Sequence, residues 1–223
     1  MNDSTSPEFV IPAALRDAVA RDLRAVRPLA HPWQRAALAL PLALVLLIAA
    51  PLIFGVRGDA ARVGLALTWG VSVFQLGLGM VLIGMALREA VPGRALAMPT
   101  LALAGAASVA TVLIVTLATW LMSPRHVGTG HQLFIWSLCF GYTFASALPL
   151  VLLAGLLASR AYPLRPALVG ALYGLGAGLV SDAGWRLFCH FTDPLHVLPA
   201  HFGAVIASML AGIVLAIALR PRN

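Results

Sequence analysis

The chain has 223 residues, of which 61% are apolar and 10% are charged, and its mean hydropathy is +0.93. A globular domain carries about 25% charged and 45–50% apolar residues, so this composition excludes a soluble enzyme, a disordered tail and a nucleic-acid-binding domain. The net charge of +7 comes from Arg residues scattered between apolar runs, with no Lys, a bias that we attribute to GC-rich coding. We therefore predict a polytopic membrane protein.

The N-terminal segment is the most polar part of the chain, and it is predicted to form a short amphipathic helix between Pro12 and Pro28. Pro12 suits the first turn of a helix, and Pro28 would end it. The apolar residues near one face of this helix are Leu15, Val19, Leu23 and Val26. The helix either lies on the anionic inner leaflet through its Arg residues or inserts its apolar stripe into a groove on a cytoplasmic protein.

Six stretches of the chain are long and apolar enough to cross a membrane, which takes about 20 mainly apolar residues. They are residues 36–56, 63–87, 96–122, 134–158, 167–185 and 199–219. The first lies too deep in the chain to be a cleaved signal peptide. The predicted fold is all-α, with a six-helix transmembrane domain over residues 36–223 and a cytoplasmic, partner-binding tail over residues 1–35.

The distribution of Arg predicts the orientation, because positive charge accumulates on the cytoplasmic side of membrane helices. With the N-terminus inside, eleven Arg residues lie on the inner side and four on the outer side. The four outer ones are Arg57, Arg62, Arg125 and Arg186. We therefore expect both termini in the cytoplasm and the helices in a bacterial inner membrane.

Small residues recur every fourth position in the last two stretches, a spacing that lets membrane helices approach closely. The fifth stretch has Gly170, Gly174 and Gly178, and the sixth has Gly203, Ala207 and Ala211. Packing inside the bundle is the expected use of these stripes. A homodimer is the alternative.

Cysteine and histidine residues gather at the predicted outer side. Cys139 lies near the start of the fourth stretch and Cys189 at the exit of the fifth, followed by His190, His196 and His201. Three interpretations remain open: ordinary buried cysteines, a reversible thiol switch, or a site for a soft or borderline metal ion. The spacing matches no standard zinc motif and contains no CxxC. The sequence does not decide whether the two cysteines form a disulfide.

Asp182 is an acidic residue well inside an apolar stretch, where a carboxylate is a functional candidate. An ion pair with Arg186 four residues later is the simpler interpretation. A small transporter or metal permease using Asp182 and the outer His cluster is an alternative function. Neither a nucleophile–base arrangement nor a nucleotide-binding motif is present, so we do not expect an enzyme, and the missing CxxC disfavours a thiol oxidoreductase.

Several segments together resemble the NrsF-type family of membrane anti-sigma factors. They are the tail from Leu15 to Leu29, Cys139 and Pro149 in the fourth stretch, Arg165-Pro166, the run Gly176-Ala177-Gly178, the run Trp185 to Cys189, Asp193-Pro194, His196 and His201. The resemblance covers nearly the whole chain. His190 departs from it, since we expect Pro after the second Cys.

The resemblance implies regulation of transcription. Members of this family hold an extracytoplasmic-function sigma factor at the inner membrane through the N-terminal region and release it when the membrane part senses stress. Carried onto this sequence, the sigma factor would contact Leu15, Val19, Leu23, Arg24, Val26, Arg27 and Leu29. Cys139 and Cys189 would carry the sensing step.

Overall fold

The computed structural model describes residues 11–22, 28–128, 130 and 132–220. The α-helices within these ranges are α1 (Ala13–Asp22), α2 (Pro32–Ala37), α3 (Leu40–Phe54), α4 (Ala60–Leu65), α5 (Val71–Glu89), α6 (Met98–Met122), α7 (Gln132–Ser159), α8 (Pro166–Phe188), α9 (Pro194–Val197) and α10 (Gly203–Ala218). Short π-helical turns at Ala66–Gly70 and Leu198–Phe202 join α4 to α5 and α9 to α10. The described ranges contain no strand, so the prediction of an all-α fold is confirmed.

Within the residues that the structure describes, six helical stretches are long and apolar enough to cross a membrane, which agrees with the predicted bundle. We call them spans one to six: Pro32–Phe54, Ala60–Glu89, Met98–Met122, Gln132–Ser159, Pro166–Phe188 and Pro194–Ala218. Spans one and six begin a few residues earlier than predicted. In each, a proline stands in the first turn, where its missing N–H costs the helix nothing.

Helix α8 lies at the centre of the bundle and packs on α3, α5, α7 and α10. Its glycines remove the Cβ atoms that would otherwise hold neighbouring helices away. A Cβ added at Gly176 would lie 2.5 Å from the Gly79 carbonyl oxygen on α5, and one at Gly184 would overlap the Leu46 carbonyl oxygen on α3. These close approaches bury most of α8 and fix the residues at its ends.

The stripe of Gly170, Gly174 and Gly178 faces span six, as packing inside the bundle requires. A Cβ at Gly178 would lie 2.9 Å from the Val205 Cα, and one at Gly170 would lie 2.7 Å from the Ile213 Cα. This stripe is therefore covered within the chain and is not a free surface for a second copy.

The stripe predicted for span six begins against α7, where a Cβ at Gly203 would lie 3.6 Å from the Phe140 ring. Gly203, Ala207 and Ala211 are only half-buried; the side that faces α8 instead carries Val205, Ser208 and Gly212. Sequence periodicity finds small residues on both sides of α10, and it does not say which side meets the neighbour.

Helix α1 buries none of its residues. Leu15 and Val19, two of the predicted partner-binding residues, are both more than half exposed, and Leu29 is exposed as well. The other four predicted contacts lie outside the described residues: Leu23, Arg24, Val26 and Arg27. The apolar side of α1 is thus uncovered by the described part of the bundle.

Candidate functional site

Two thiols and two imidazoles meet at one end of the bundle. They belong to Cys139 on α7, Cys189 directly after α8, His196 on α9 and His201 in the π-helical turn of span six. One ligand atom from each residue lies within 4.8 Å of the other three. Cys189, His196 and His201 are buried and Cys139 is half-buried. We call these four residues the Cys–His cluster.

The chain between Cys189 and His196 is held by the loop that precedes α7. Helix α8 ends when Cys189 takes an extended conformation. Thr192 then donates its hydroxyl to the Ser123 carbonyl at 2.6 Å, and its backbone N–H to the Arg125 carbonyl at 3.2 Å. Asp193 caps α9 by accepting from the Leu195 N–H at 2.9 Å. These bonds carry the chain back toward the bundle, so that His196 reaches Cys189.

The distances inside the cluster leave two imidazole nitrogens without partners. His196 Nε2 lies 3.6 Å from Cys189 Sγ, and His201 Nδ1 lies 2.9 Å from Asp182 Oδ1. His196 Nδ1 and His201 Nε2 are buried with no hydrogen-bond partner among the described residues. A buried nitrogen without a partner is costly, and a ligand at the cluster would satisfy the free Nε2 of His201.

The donor set suits a soft or borderline metal ion such as Zn²⁺ or Cd²⁺, since thiolate and imidazole are the ligands that these ions prefer. A tetrahedral zinc site, with metal–ligand distances of about 2.0–2.3 Å, places its ligand atoms about 3.3–3.8 Å apart. The 3.6 Å from Cys189 Sγ to His196 Nε2 already falls in this interval. All four ligand atoms lie within 4.8 Å of one another. A shift of about 1 Å would bring them to the distances of a tetrahedral site.

Asp182 lies next to the cluster and contacts it through His201. Its carboxylate is fully buried and accepts hydrogen bonds from Arg186 Nε at 2.8 Å and Gln75 Nε2 at 2.6 Å, in addition to His201. The predicted ion pair with Arg186 is therefore present. A carboxylate on the second nitrogen of a ligating His fixes the ring orientation and raises its basicity. Asp182 thus holds His201 with its free nitrogen available.

The family model described as NrsF, negative regulator of sigma F, matches residues 19–220. The chain belongs to the NrsF family. The matched range takes in the end of α1 and all six spans, which confirms the resemblance seen in the sequence. No curated protein and no solved structure matches the chain.

In this NrsF-family chain both cysteines are free thiols. The neighbouring Cys139 thiol, together with the His196 and His201 imidazoles, lowers the pKa of Cys189 well below its usual value, although burial opposes the shift. The thiolate is the form that binds metals and reacts with oxidants.

The structure leaves His190 out of the Cys–His cluster, although the sequence placed it among the candidate ligands. Its ring packs on Phe191 at a centroid distance of 4.4 Å. His126, in the preceding loop, is mostly exposed and pairs with Asp193 at 2.6 Å. Extended backbone at Cys189 ends the helix before His190, and the two histidines of span six supply the imidazoles of the cluster.

Gln75 is the site residue that sequence reasoning missed. It is completely buried and donates to both Asp182 Oδ2 and the Leu179 carbonyl oxygen on α8. A signal was available, because an amide inside a membrane-spanning stretch needs a polar partner. That partner is Asp182, the buried carboxylate of span five.

Proposed function

We propose that this NrsF-family chain is an anti-sigma factor of a bacterial inner membrane. Its cytoplasmic N-terminal segment would bind an extracytoplasmic-function sigma factor, and oxidation or metal binding at the outer Cys–His cluster would release it. The family description supports the first half of this proposal. The Cys–His cluster is the observation that carries the second half: its four donors, from span four, span six and the residue after span five, lie within 4.8 Å of one another.

A change at the cluster would act on several spans at once. A disulfide between Cys139 and Cys189, or a metal ion held by all four residues, would draw α7, α8 and span six together. The Gly174 contact between α8 and α10 leaves no free space, and closely packed interfaces switch between discrete arrangements rather than deforming gradually. A local rearrangement would therefore become a shift of whole helices.

Helix α5 offers a connection from the cluster to the tail. Its Gln75 is bonded to Asp182, and nine residues later the ring of Trp33 lies directly on Gly84, a distance along the helix of roughly 14 Å. Trp33 lies in α2, the first helix after the tail. A movement of α5 would thus reach the segment that leads to α1.

The exposed side of α1 is the proposed sigma-factor contact. Leu15 and Val19 stand on it uncovered, and an amphipathic helix with a free apolar stripe suits a groove on a partner protein. The proposal keeps both termini in the cytoplasm and assigns no catalytic activity. The cysteines and histidines would face the oxidising side of the membrane.

The test is co-purification of the sigma factor with the full chain in lipid nanodiscs, compared with a chain that lacks residues 1–30. The full chain is expected to retain the sigma factor and the shortened one to lose it, since α1 buries nothing in the bundle. Added Cd²⁺ or an oxidant should then release the sigma factor from the full chain.

Single substitutions test the sensing step in the same assay. Cys139→Ser and Cys189→Ser should both abolish release by Cd²⁺ and by oxidant. His126→Ala, an exposed His of the same side outside the cluster, serves as the matched control and should respond like the parent chain. Normal release from both Ser variants would refute the sensing role. Metal flux through vesicles that depends on Asp182 would instead favour a small permease.

A further inference from the structure

An apolar cleft of about 370 Å³ leads to both thiols from the side of the bundle. It lies between α7 and the end of α8. Cys139 and Cys189 are part of its lining, and the other lining side chains are almost all aromatic or aliphatic. Small-molecule sites are usually clefts of roughly 300–1,000 Å³ with mainly apolar walls, so the size and lining of this cleft fit a ligand.

One wall of the cleft is a continuous aromatic surface. Tyr142 stacks on Trp185 with a centroid distance of 5.2 Å and an interplanar angle of 16°. Phe54 contacts both Trp185, at 5.7 Å, and Phe188, at 5.2 Å. Offset stacking with a flat ring is the interaction that such a surface favours. The wall therefore selects for a planar apolar molecule.

The position of the cleft indicates that this molecule enters from the bilayer and not from water. Phe54 and Tyr142, at its edge, are 52% and 50% exposed, and both belong to membrane-spanning helices. The aromatic and aliphatic walls at this edge offer an ion few polar contacts to replace its hydration, so entry from this side is costly. A neutral compound dissolved in the bilayer enters without this cost.

We propose that the cleft admits a para-quinone from the bilayer, which oxidises Cys139 and Cys189 to a disulfide. This inference rests on the proposed sensing role of the two cysteines and names the class of oxidant that they meet. Two features combine in it: an aromatic wall that binds a flat ring, and two thiols, within 4.8 Å of each other, in the lining of the same cleft. A lipid acyl chain would fill the volume but would leave the thiols unchanged.

The reaction balances with the groups present. Two S–H bonds break and one S–S bond forms, while the two carbonyl groups of the quinone become the two hydroxyl groups of a hydroquinone. The quinone thus takes up two electrons and two protons. His196 Nε2, 3.6 Å from Cys189 Sγ, is placed to accept the first proton and pass it on.

The experiment uses the full chain in liposomes and the probe decylubiquinone, whose fully substituted ring has no vacant position for thiol addition. Intact mass spectrometry follows the loss of two hydrogens, and tetrathionate, a charged oxidant in the water phase, is measured in parallel. Ile135→Trp, which fills the cleft from its lining, should slow oxidation by the quinone about tenfold or more, as expected for discrimination by an apolar pocket. The rate with tetrathionate should stay the same.

Leu133→Trp is the matched control, since Leu133 lies on the same helix, is highly exposed and does not line the cleft. Equal quinone rates in the two Trp variants would overturn the proposal and leave acyl chains as the occupant. A second measurement needs no variant: decylubiquinol should protect the thiols from N-ethylmaleimide in a saturable way, and absent protection would also overturn it. Retention of the sigma factor by a chain whose loss of two hydrogens has been confirmed by mass spectrometry would instead refute the sensing role itself.

Discussion

At the scale of single residues, Asp182 explains how a charged group persists inside a membrane helix. Burying a carboxylate alone is very costly, and Asp182 offsets this cost with donors from α5, from α8 and from the π-helical turn of span six. Its bond to His201 leaves the second imidazole nitrogen free for the Cys–His cluster. The residue thus serves both the stability of the bundle and the geometry of the site.

Replacement of Asp182 by Asn should destabilise the bundle and weaken metal binding. The change removes the negative charge between Arg186 and His201 and leaves a buried cation unpaired, which costs about 3–5 kcal/mol. Loss of the carboxylate behind a metal-ligating His typically lowers affinity about 10–100-fold. Thermal unfolding in detergent measures the first effect, and Cd²⁺ titration measures the second.

Asp193→Asn is the control for this substitution. Asp193 is another acidic residue near the cluster, but its ion-pair partner His126 is mostly exposed. Asn caps a helix as well as Asp does, so the change removes only the exposed ion pair and should cost about 1 kcal/mol or less. Equal shifts in melting temperature for the Asp182 and Asp193 variants would show that Asp182 contributes no more to stability than Asp193 does.

At the scale of helices, small residues decide how closely α8 approaches its neighbours. Gly170 and Gly174 meet span six, Gly176 meets α5 and Gly184 meets α3. Lipid provides no hydrophobic drive for helix association, so close packing must supply the attraction. The glycines of α8, which allow this close packing, therefore stabilise the bundle.

Gly174→Ala should destabilise the contact between α8 and α10. A Cβ at this position would overlap the Ser208 carbonyl oxygen and lie 2.8 Å from the Met209 Cα. Because both are backbone atoms, the helices must separate, at a cost of roughly 1–3 kcal/mol for overpacking. Thermal unfolding in detergent is the measurement.

Gly105→Ala on α6 is the matched control, because nothing lies within 4 Å of a Cβ at Gly105. Alanine is the better helix former by up to about 1 kcal/mol, so this variant should be as stable as the parent chain or slightly more stable. An unchanged melting temperature for Gly174→Ala would contradict the packing argument.

At the scale of the whole molecule, the chain separates its two candidate tasks. The Cys–His cluster lies at one end of the bundle, and α1 precedes the other end, where Trp33 lies on Gly84. Arg35, buried beside Trp33, donates to the Leu157 carbonyl on α7. The start of span one thus contacts α5, which carries Gln75, and α7, which carries Cys139.

Coupling between two sites must act equally in both directions. If metal binding at the cluster weakens sigma-factor binding, the bound sigma factor must weaken metal binding by the same factor, which for typical coupling is about 5–150-fold. We predict this equality for the full chain in nanodiscs. Cd²⁺ titrations with and without saturating sigma factor measure one side, and sigma-factor titrations with and without Cd²⁺ measure the other. Metal affinity that ignores the sigma factor would refute the coupling.

The features of this chain that its sequence predicts correctly depend on neighbouring residues alone. Crossing a bilayer demands about 20 apolar residues in a row, with every backbone group bonded inside the helix, so composition alone determined the membrane class and the six spans. The spacing between Asp182 and Arg186 likewise determined their ion pair, because residues four apart share one helix face.

Only the tertiary structure decided which residues meet across helices. Whether His190 or His201 joins Cys139 depends on the backbone after Cys189 and on the π-helical turn of span six. The side of α10 that faces α8, and the bond from Gln75 to Asp182, depend on the rotation of each helix about its axis. The amino-acid sequence states the composition of every helix face, but the packing of six helices against one another selects which faces touch.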